Sequence, residues 1–270
     1  MDVRLQSVVN NIAEYERDAF YVLKATLQYP IDPQVKSVKL ADDIDFFCAG
    51  SEVCGVLWYV WMLVIDIVIC VPPGHPWQDS LVLAVVILLN RDDGTSRYNK
   101  MGKPISWKEL PDLWITLREK LDDPTDMNEE LIEEFAGHKG RTSFYARLMG
   151  AGVPMSVHFP IWQLRTTLEE QPLEGSAMEC RIWTACEWMI HCADNVFKRM
   201  NLDMELDDDS ARAICDGPLG EGNQLVSMER WEFWKRRFSE LAADTARLRL
   251  GRETTGWISD ALKSMDAAQQ

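Results

Sequence analysis

Apolar residues return every three or four positions along most of the chain, whereas strand-like alternation never lasts more than a few residues. That period predicts helices near residues 4–29, 52–70, 76–90, 107–121, 128–149, 157–170, 178–200, 227–249 and 254–266. Three starts carry a capping spacing: Ser106 with Glu109, Asp126 with Glu129, and Ser176 with Glu179. In such a box the first side chain accepts a backbone N–H and the later carboxylate reaches back to the cap. Pro76, directly after His75, suits a first helical position, where no amide hydrogen is needed. The segment "SVKLADDIDFF" (37–47) has the weakest period and reads as non-helical linker. There is no fixed-period repeat and no long polar linker. The expectation is an all-α protein, one irregular bundle of about eight to ten helices. Residues 1–50 would form an N-terminal helix and linker packed on a core domain of 51–270.

The most apolar stretch is "VLWYVWMLVIDIVICVPPGHP", residues 56–76, followed by "LVLAVVILL" at 81–89. A membrane span needs about 20 apolar residues, and Pro72, Pro73 and Gly74 end this run sooner. Asp66 in its middle would add roughly 2.5–3.5 kcal/mol to insertion into lipid. Two such helices joined by a Pro-Gly turn instead predict a central apolar hairpin over residues 52–90. A helix apolar on every side is a core helix, so Asp66 is expected to be buried. A buried carboxylate pairs with a cation, accepts several hydrogen bonds or keeps its proton. Arg147, Arg165 and Arg230 are candidate structural partners. A protonated Asp66 lining an apolar pocket is the catalytic alternative.

The net charge of −15 argues against a nucleic-acid or anionic-membrane surface, since both need basic patches. The acidic runs at 122–134 and 203–209 read as solvated helix starts and loops. Seven cysteines include no Cys-x-x-Cys pair, and Cys180, Cys186 and Cys192 spread around a helix instead of sharing a side. Buried, reduced thiols are expected, with no disulfide framework or zinc site. The N-terminal "MDVRLQSVVNNIAEYERD" lacks the basic-then-apolar order of a secretory signal, so the expected location is cytoplasmic.

Several familiar chemistries leave no trace: no phosphate loop, dinucleotide fingerprint, His-Glu-x-x-His or nucleophile elbow is present. The expectation is therefore a function without cofactor or metal. "DDPTD" (122–126) matches the aspartate-rich pattern with which class I terpene cyclases hold magnesium and diphosphate. Pro124 interrupts it, and the alternative reading is a helix end followed by a cap. Glu187, His191 and Asp194 stand at i, i+4 and i+7 on one helix face. A histidine between carboxylates suits a general base, although the same spacing gives a surface charge pair. Asp66, His191 and Glu187 are the catalytic candidates.

Eleven tryptophans and twelve methionines either pack as an aromatic core or wall a cavity for a hydrophobic ligand. Trp58, Trp61, Tyr145, Arg147, Trp162, Arg165, Trp183, Trp188, Arg230 and Trp231 are the candidate ligand-binding residues. In "SMERWEFWKRRFSEL", Trp231, Trp234, Phe238 and Leu241 share a face, which leaves Lys235, Arg236 and Arg237 largely outside it.

The ordered blocks "LWYVWMLVIDIV…HPWQDSLV", "FYARLMGAGV", "IWQLRTTLEE" and "GPLG…ERWEFWKRRF" resemble a family of uncharacterised proteins widespread in filamentous fungi. The likeness runs from about residue 52 to residue 240. It is carried by Trp58, Trp61, His75, Pro76, Gln78, Asp79, Arg147, Arg165, Glu169, Gly217, Pro218, Glu229, Arg230, Trp231 and Trp234. Ahead of "FYARL" the chain reads "HKGRTS", where an aromatic residue and an asparagine are usual. The resemblance implies a soluble helical protein, placed for some members among natural-product genes, and brings no catalytic set. The leading expectation is a cofactor-independent enzyme that cyclises or isomerises a hydrophobic natural-product intermediate. Its rivals are a non-catalytic helical module that binds a ligand or a protein, and a magnesium-dependent cyclase built on "DDPTD".

Overall fold

Proline and aspartate set up the first surprise, because "SVKLADDIDFF" is helical. Asp32 Oδ1 accepts the Gln34 amide at 2.9 Å and Pro33 opens the helix, so residues 33–48 wind without a break. The linker expected at 37–47 is thus corrected. Its period is masked because Ser37 and Asp43 lie on the buried face beside Leu40, Ala41 and Ile44. Asp43 is satisfied there by the Thr26 hydroxyl at 2.7 Å and by Lys39.

The computed structural model describes residues 5–48, 56–91, 97–98, 104–126, 132–202, 207–222 and 224–270. Among these the fold is all-α. The extended pairing is a ladder of two residues per strand, β1 (Arg97–Tyr98) antiparallel to β2 (Pro104–Ile105). The chain divides into two compact units, residues 1–123 with 136–153, and residues 124–135 with 154–270.

Unit 1 begins with α1 (Gln6–Asn11) and α2 (Arg17–Gln28), where a single helix over 4–29 was expected. Extended backbone at Ile12 and Ala13 breaks it, and the Glu16 carboxylate caps the following turn by accepting the Ala13 amide at 2.7 Å. Next come α3 (Pro33–Cys48), α4 (Val56–Ile69) and α5 (Pro76–Leu89). As expected, Pro76 is the first residue of its helix, and His75 Nδ1 caps it by accepting the Trp77 amide at 3.2 Å. Trp107–Glu109 form a 3-10 turn capped by Ser106, and α6 (Leu113–Glu119) follows, so the helix foreseen at 107–121 is two pieces. α2 packs on α3, α3 on α5, and α4 on α6. Trp61 and Trp107 meet edge to face in the core, 6.0 Å between ring centroids. Their indole N–H groups reach the Pro111 carbonyl at 3.0 Å and Asp45 at 2.8 Å.

α7 (Ile132–Gly150) crosses the end of α4 through two glycines. A methyl group at Gly140 would lie 2.7 Å from the Val71 carbonyl oxygen, and one at Gly137 would lie 2.8 Å from Ile69 Cγ2. Only hydrogen at those positions allows this approach. Gln78 locks the crossing by donating to the carbonyls of Val71 and Gly140, each at 3.0 Å. The capping pair expected ahead of α7 lies outside the described residues at Glu129 and at the Asp126 side chain.

Unit 2 contains α8 (His158–Leu164), which widens into one π turn over Arg165–Glu169, and α9 (Gly175–Met200). They are followed by α10 (Asp208–Ala213), α11 (Met228–Ala243) and α12 (Thr254–Ala267). α12 lies along α9, which also packs on α8 and α11. The capping box expected at Ser176 is not made, because α9 starts earlier, with the Gly175 amide bonded to the Leu248 carbonyl at 2.9 Å. Glu179 serves the Gly251 amide instead of its own helix start.

Candidate functional site

α4 is not buried all round. Trp58, Met62, Asp66 and Cys70 follow one another at i+4 spacing, flanked by Tyr59 and Ile69, and all six are half-exposed. The remaining residues from Leu57 to Val68 are buried. This stripe forms one wall of a cleft of about 530 Å³ in unit 1. α1 and the turn after it supply Ser7, Val8, Ile12 and Glu16, and Lys120 enters from the C-terminal end of α6. The size lies within the range of small-molecule sites. Trp58 and Tyr59 make an edge-to-face pair on the wall, with centroids 5.1 Å apart.

Asp66 is therefore not the buried group its apolar neighbours predict. Its side chain keeps 29% of its surface exposed, and its partner is Lys120, Nζ to Oδ1 2.7 Å. None of the three arginines considered reaches it. Arg147 binds Asp79 and the Pro73 carbonyl, and Arg230 binds Glu169. Arg165 has no ion-pair partner among the described residues. Lys120 uses one of its three donors on Asp66, which leaves the ammonium able to serve a ligand oxygen. Cys70 is held as a thiol: burial pushes its pKa up, the Ser7 hydroxyl bond at 3.4 Å opposes this, and the Asp66 charge adds to it. It is a poor nucleophile at neutral pH.

Two polar groups of this cleft, Lys120 and Glu16, lie beyond the reach of sequence reasoning. The i+4 row on α4 is legible in hindsight, but Trp, Met and Cys count as apolar letters and hide it. Of the candidate site residues, Asp66 and Trp58 line the cleft together. Trp61 turns into the core instead, and Tyr145 is buried, its hydroxyl donating to the Leu117 carbonyl at 3.1 Å.

In unit 2 the blocks "WQLRTTLEE", "GPLG" and "ERWEFW" converge on Glu169. The π turn carries this fully buried carboxylate to Arg230, whose Nε lies 2.7 Å away. Trp234 Nε1 donates to it at 2.6 Å and the Gly217 amide at 2.7 Å. The remaining guanidinium donors of Arg230 go to the carbonyls of Ile214, Leu225 and Cys215 and to the second carboxylate oxygen. Every donor of Arg230 is spent, so it has none for a ligand. A scan against family models matches residues 61–238 to a family described as a protein of unknown function, DUF3632.

The chain belongs to the DUF3632 family. No curated protein and no solved structure matches it. The Glu169–Arg230 clasp lies wholly within the DUF3632 region, and so does the junction of Gln78, Asp79 and Arg147 in unit 1. The cleft is divided: Met62, Asp66, Ile69, Cys70 and Lys120 fall inside that region, whereas α1, Glu16, Trp58 and Tyr59 precede it.

The remaining catalytic and ligand-binding candidates in the DUF3632 chain sit on unit 2. His191 Nε2 lies 3.3 Å from Glu187 Oε1 on α9, with Asp194 exposed beyond them. Trp188 and Trp231 are buried, Trp162 donates to the Ala213 carbonyl, and Trp183 is half-buried. Of the basic trio on α11, Lys235 pairs with Asp266 at 2.6 Å and Arg237 donates to the Leu168 carbonyl at 3.1 Å. "DDPTD" is a turn, with Asp122 exposed and Asp123 half-exposed, instead of a helix face aimed at a cavity. Among the described residues no three His, Cys, Asp or Glu side chains gather to hold a metal ion. No described helix is long and apolar enough to cross a membrane.

Proposed function

We propose that the chain is a cofactor-independent enzyme that binds a hydrophobic natural-product intermediate in the unit 1 cleft and rearranges it by cyclisation or isomerisation. The observation that carries this reading is the Asp66–Lys120 pair on the wall of a cleft lined by Trp58, Tyr59 and Met62. The pair is held in place on the cleft before the reaction begins, so a base and a hydrogen-bond donor need no reorientation when a ligand enters. With an unsaturated carbonyl compound, the Asp66 carboxylate removes a proton from the carbon beside the carbonyl. The C–H electron pair becomes a new C=C bond, and the carbonyl π pair moves to the oxygen held by Lys120. Return of that proton to a vinylogous carbon restores both side chains and leaves the ligand's composition unchanged. In a cyclisation the aromatic wall would hold a reactive conformer and Lys120 would polarise its oxygen. Resemblance to fungal proteins placed among natural-product genes supports the substrate class, and the proposed setting is the cytoplasm.

The test is incubation of purified protein with an organic extract of its source organism. A compound that changes retention time at unchanged mass, and no longer does so with Asp66→Asn or Lys120→Met, supports the reading. Conversion that changes mass, or that both variants retain, rejects it.

A second reading, a non-catalytic interaction module, is favoured by one feature. Tyr21, Tyr29, Ile31, Val35 and Val38 leave an exposed apolar surface along α2 and α3. Concentration-dependent self-association by light scattering, lost on Val35→Glu, would favour it.

A further inference from the structure

We infer that the unit 1 cleft selects a ligand carrying a basic nitrogen, an apolar organic amine; this rests on the cleft being the ligand site. The charges lining it decide the sign. Asp66 and Lys120 neutralise each other at 2.7 Å. Glu16 also lines the cleft, and its Oε2 accepts the Ala13 amide at 2.7 Å, but it has no cation partner among the described residues. Among its described lining residues the cleft therefore holds one carboxylate in excess, and an amine entering it pairs with Glu16 without displacing Lys120. A carboxylate ligand could reach the spare donors of Lys120 only by bringing a third negative charge beside Asp66 and Glu16.

Two further features act in the same direction. Trp58 and Tyr59 line the cleft, and aromatic rings favour a cation over an anion. The chain as a whole carries −15, a field that raises the local concentration of cations and lowers that of anions. Met62 and Ile69 supply the apolar contact for the body of the ligand.

Calorimetric titration of the full chain with 4-phenylbutylamine, 4-phenylbutanol and 4-phenylbutyrate compares a cation, a neutral compound and an anion on one hydrophobic body. The amine is expected to bind about five- to tenfold tighter than the alcohol, and the butyrate most weakly. Glu16→Gln keeps an oxygen for the Ala13 amide. It should bring the amine within about twofold of the alcohol and leave the alcohol unchanged. Glu16→Asp retains the charge and should retain the amine preference, which separates loss of charge from loss of fold. An amine that binds no better than the alcohol or the butyrate overturns the inference, as does an advantage that survives Glu16→Gln. In those cases the cleft still stands as the ligand site if Trp58→Ala weakens the alcohol. Failure of all three compounds to bind, or binding that Trp58→Ala leaves untouched, overturns both readings.

Discussion

Lys120 Nζ lies 2.7 Å from Asp66 Oδ1, and the two side chains keep 25% and 29% of their surface in solvent. A pair exposed to that extent contributes roughly 0–1 kcal/mol, because water screens it. Asp66→Asn is therefore expected to lower stability by about 1 kcal/mol or less, while abolishing any turnover in the cleft. Urea melts of the two proteins check the first half. A loss of about 3 kcal/mol or more would make Asp66 an architectural partner instead.

The Glu169–Arg230 pair provides the contrast, since neither side chain is exposed at all. Arg230→Met strands a buried carboxylate with two fewer donors and should cost about 3–5 kcal/mol. Glu169→Gln strands the guanidinium and is expected to fall in the same range. The two changes combined should cost less than their sum, because each removes the other's uncompensated charge. Denaturant melts of the single and double variants form the required cycle.

Helix propensity alone would favour alanine at Gly140 by about 1 kcal/mol. The crossing with α4 predicts the opposite sign. The new methyl would press on the Val71 oxygen at 2.7 Å and the Val68 oxygen at 3.1 Å, both backbone atoms that cannot turn aside. Gly140→Ala should therefore destabilise by about 1–3 kcal/mol. Gly256→Ala in α12, where no atom lies within 4 Å of the added carbon, is the matched helical control. Thermal melts of the two variants distinguish packing from propensity.

His75 caps α5 in its neutral form, since Nδ1 accepts a hydrogen bond there. Burial lowers its pKa below 6.5, and nearby positive charge adds to the effect. A histidine shifted downward stabilises the fold fully above its unfolded value of about 6.5 and loses that contribution as the pH falls toward the folded value. His75→Asn, a cap that does not titrate, should match the parent near pH 8 and exceed it near pH 5.5. His158 shifts in the same direction, so part of the acid sensitivity should remain. Melts across that range provide the check.

The helices with an apolar face set against a polar one, such as α9 and α12, are legible from spacing because burial decides their faces. α3 is not, because a buried serine and a buried aspartate break its period, and their partners come from elsewhere. The cleft was half legible. Asp66 stood out against its neighbours, but the partner that sets its role is 54 residues away, and no local pattern encodes that distance. Arginine is the usual expectation for a buried carboxylate. A half-exposed one is served equally well by the more strongly hydrated ammonium of lysine. The polar residues of the family blocks tie helices together, Gln78 at the α4–α7 crossing and Glu169 with Arg230 in unit 2.

Unit 1 is interrupted in the chain: it pauses at residue 123 and resumes at residue 136. During synthesis, α4, α5 and Lys120 all leave the ribosome before the two glycines that cover the end of α4. At roughly 5–20 residues per second, the interval lasts about a second or more. Over that time the Val68 and Val71 carbonyls and the apolar residues around them have no partner from α7. The nascent chain thus carries its most hydrophobic helix unsealed for that interval, until α7 has been made.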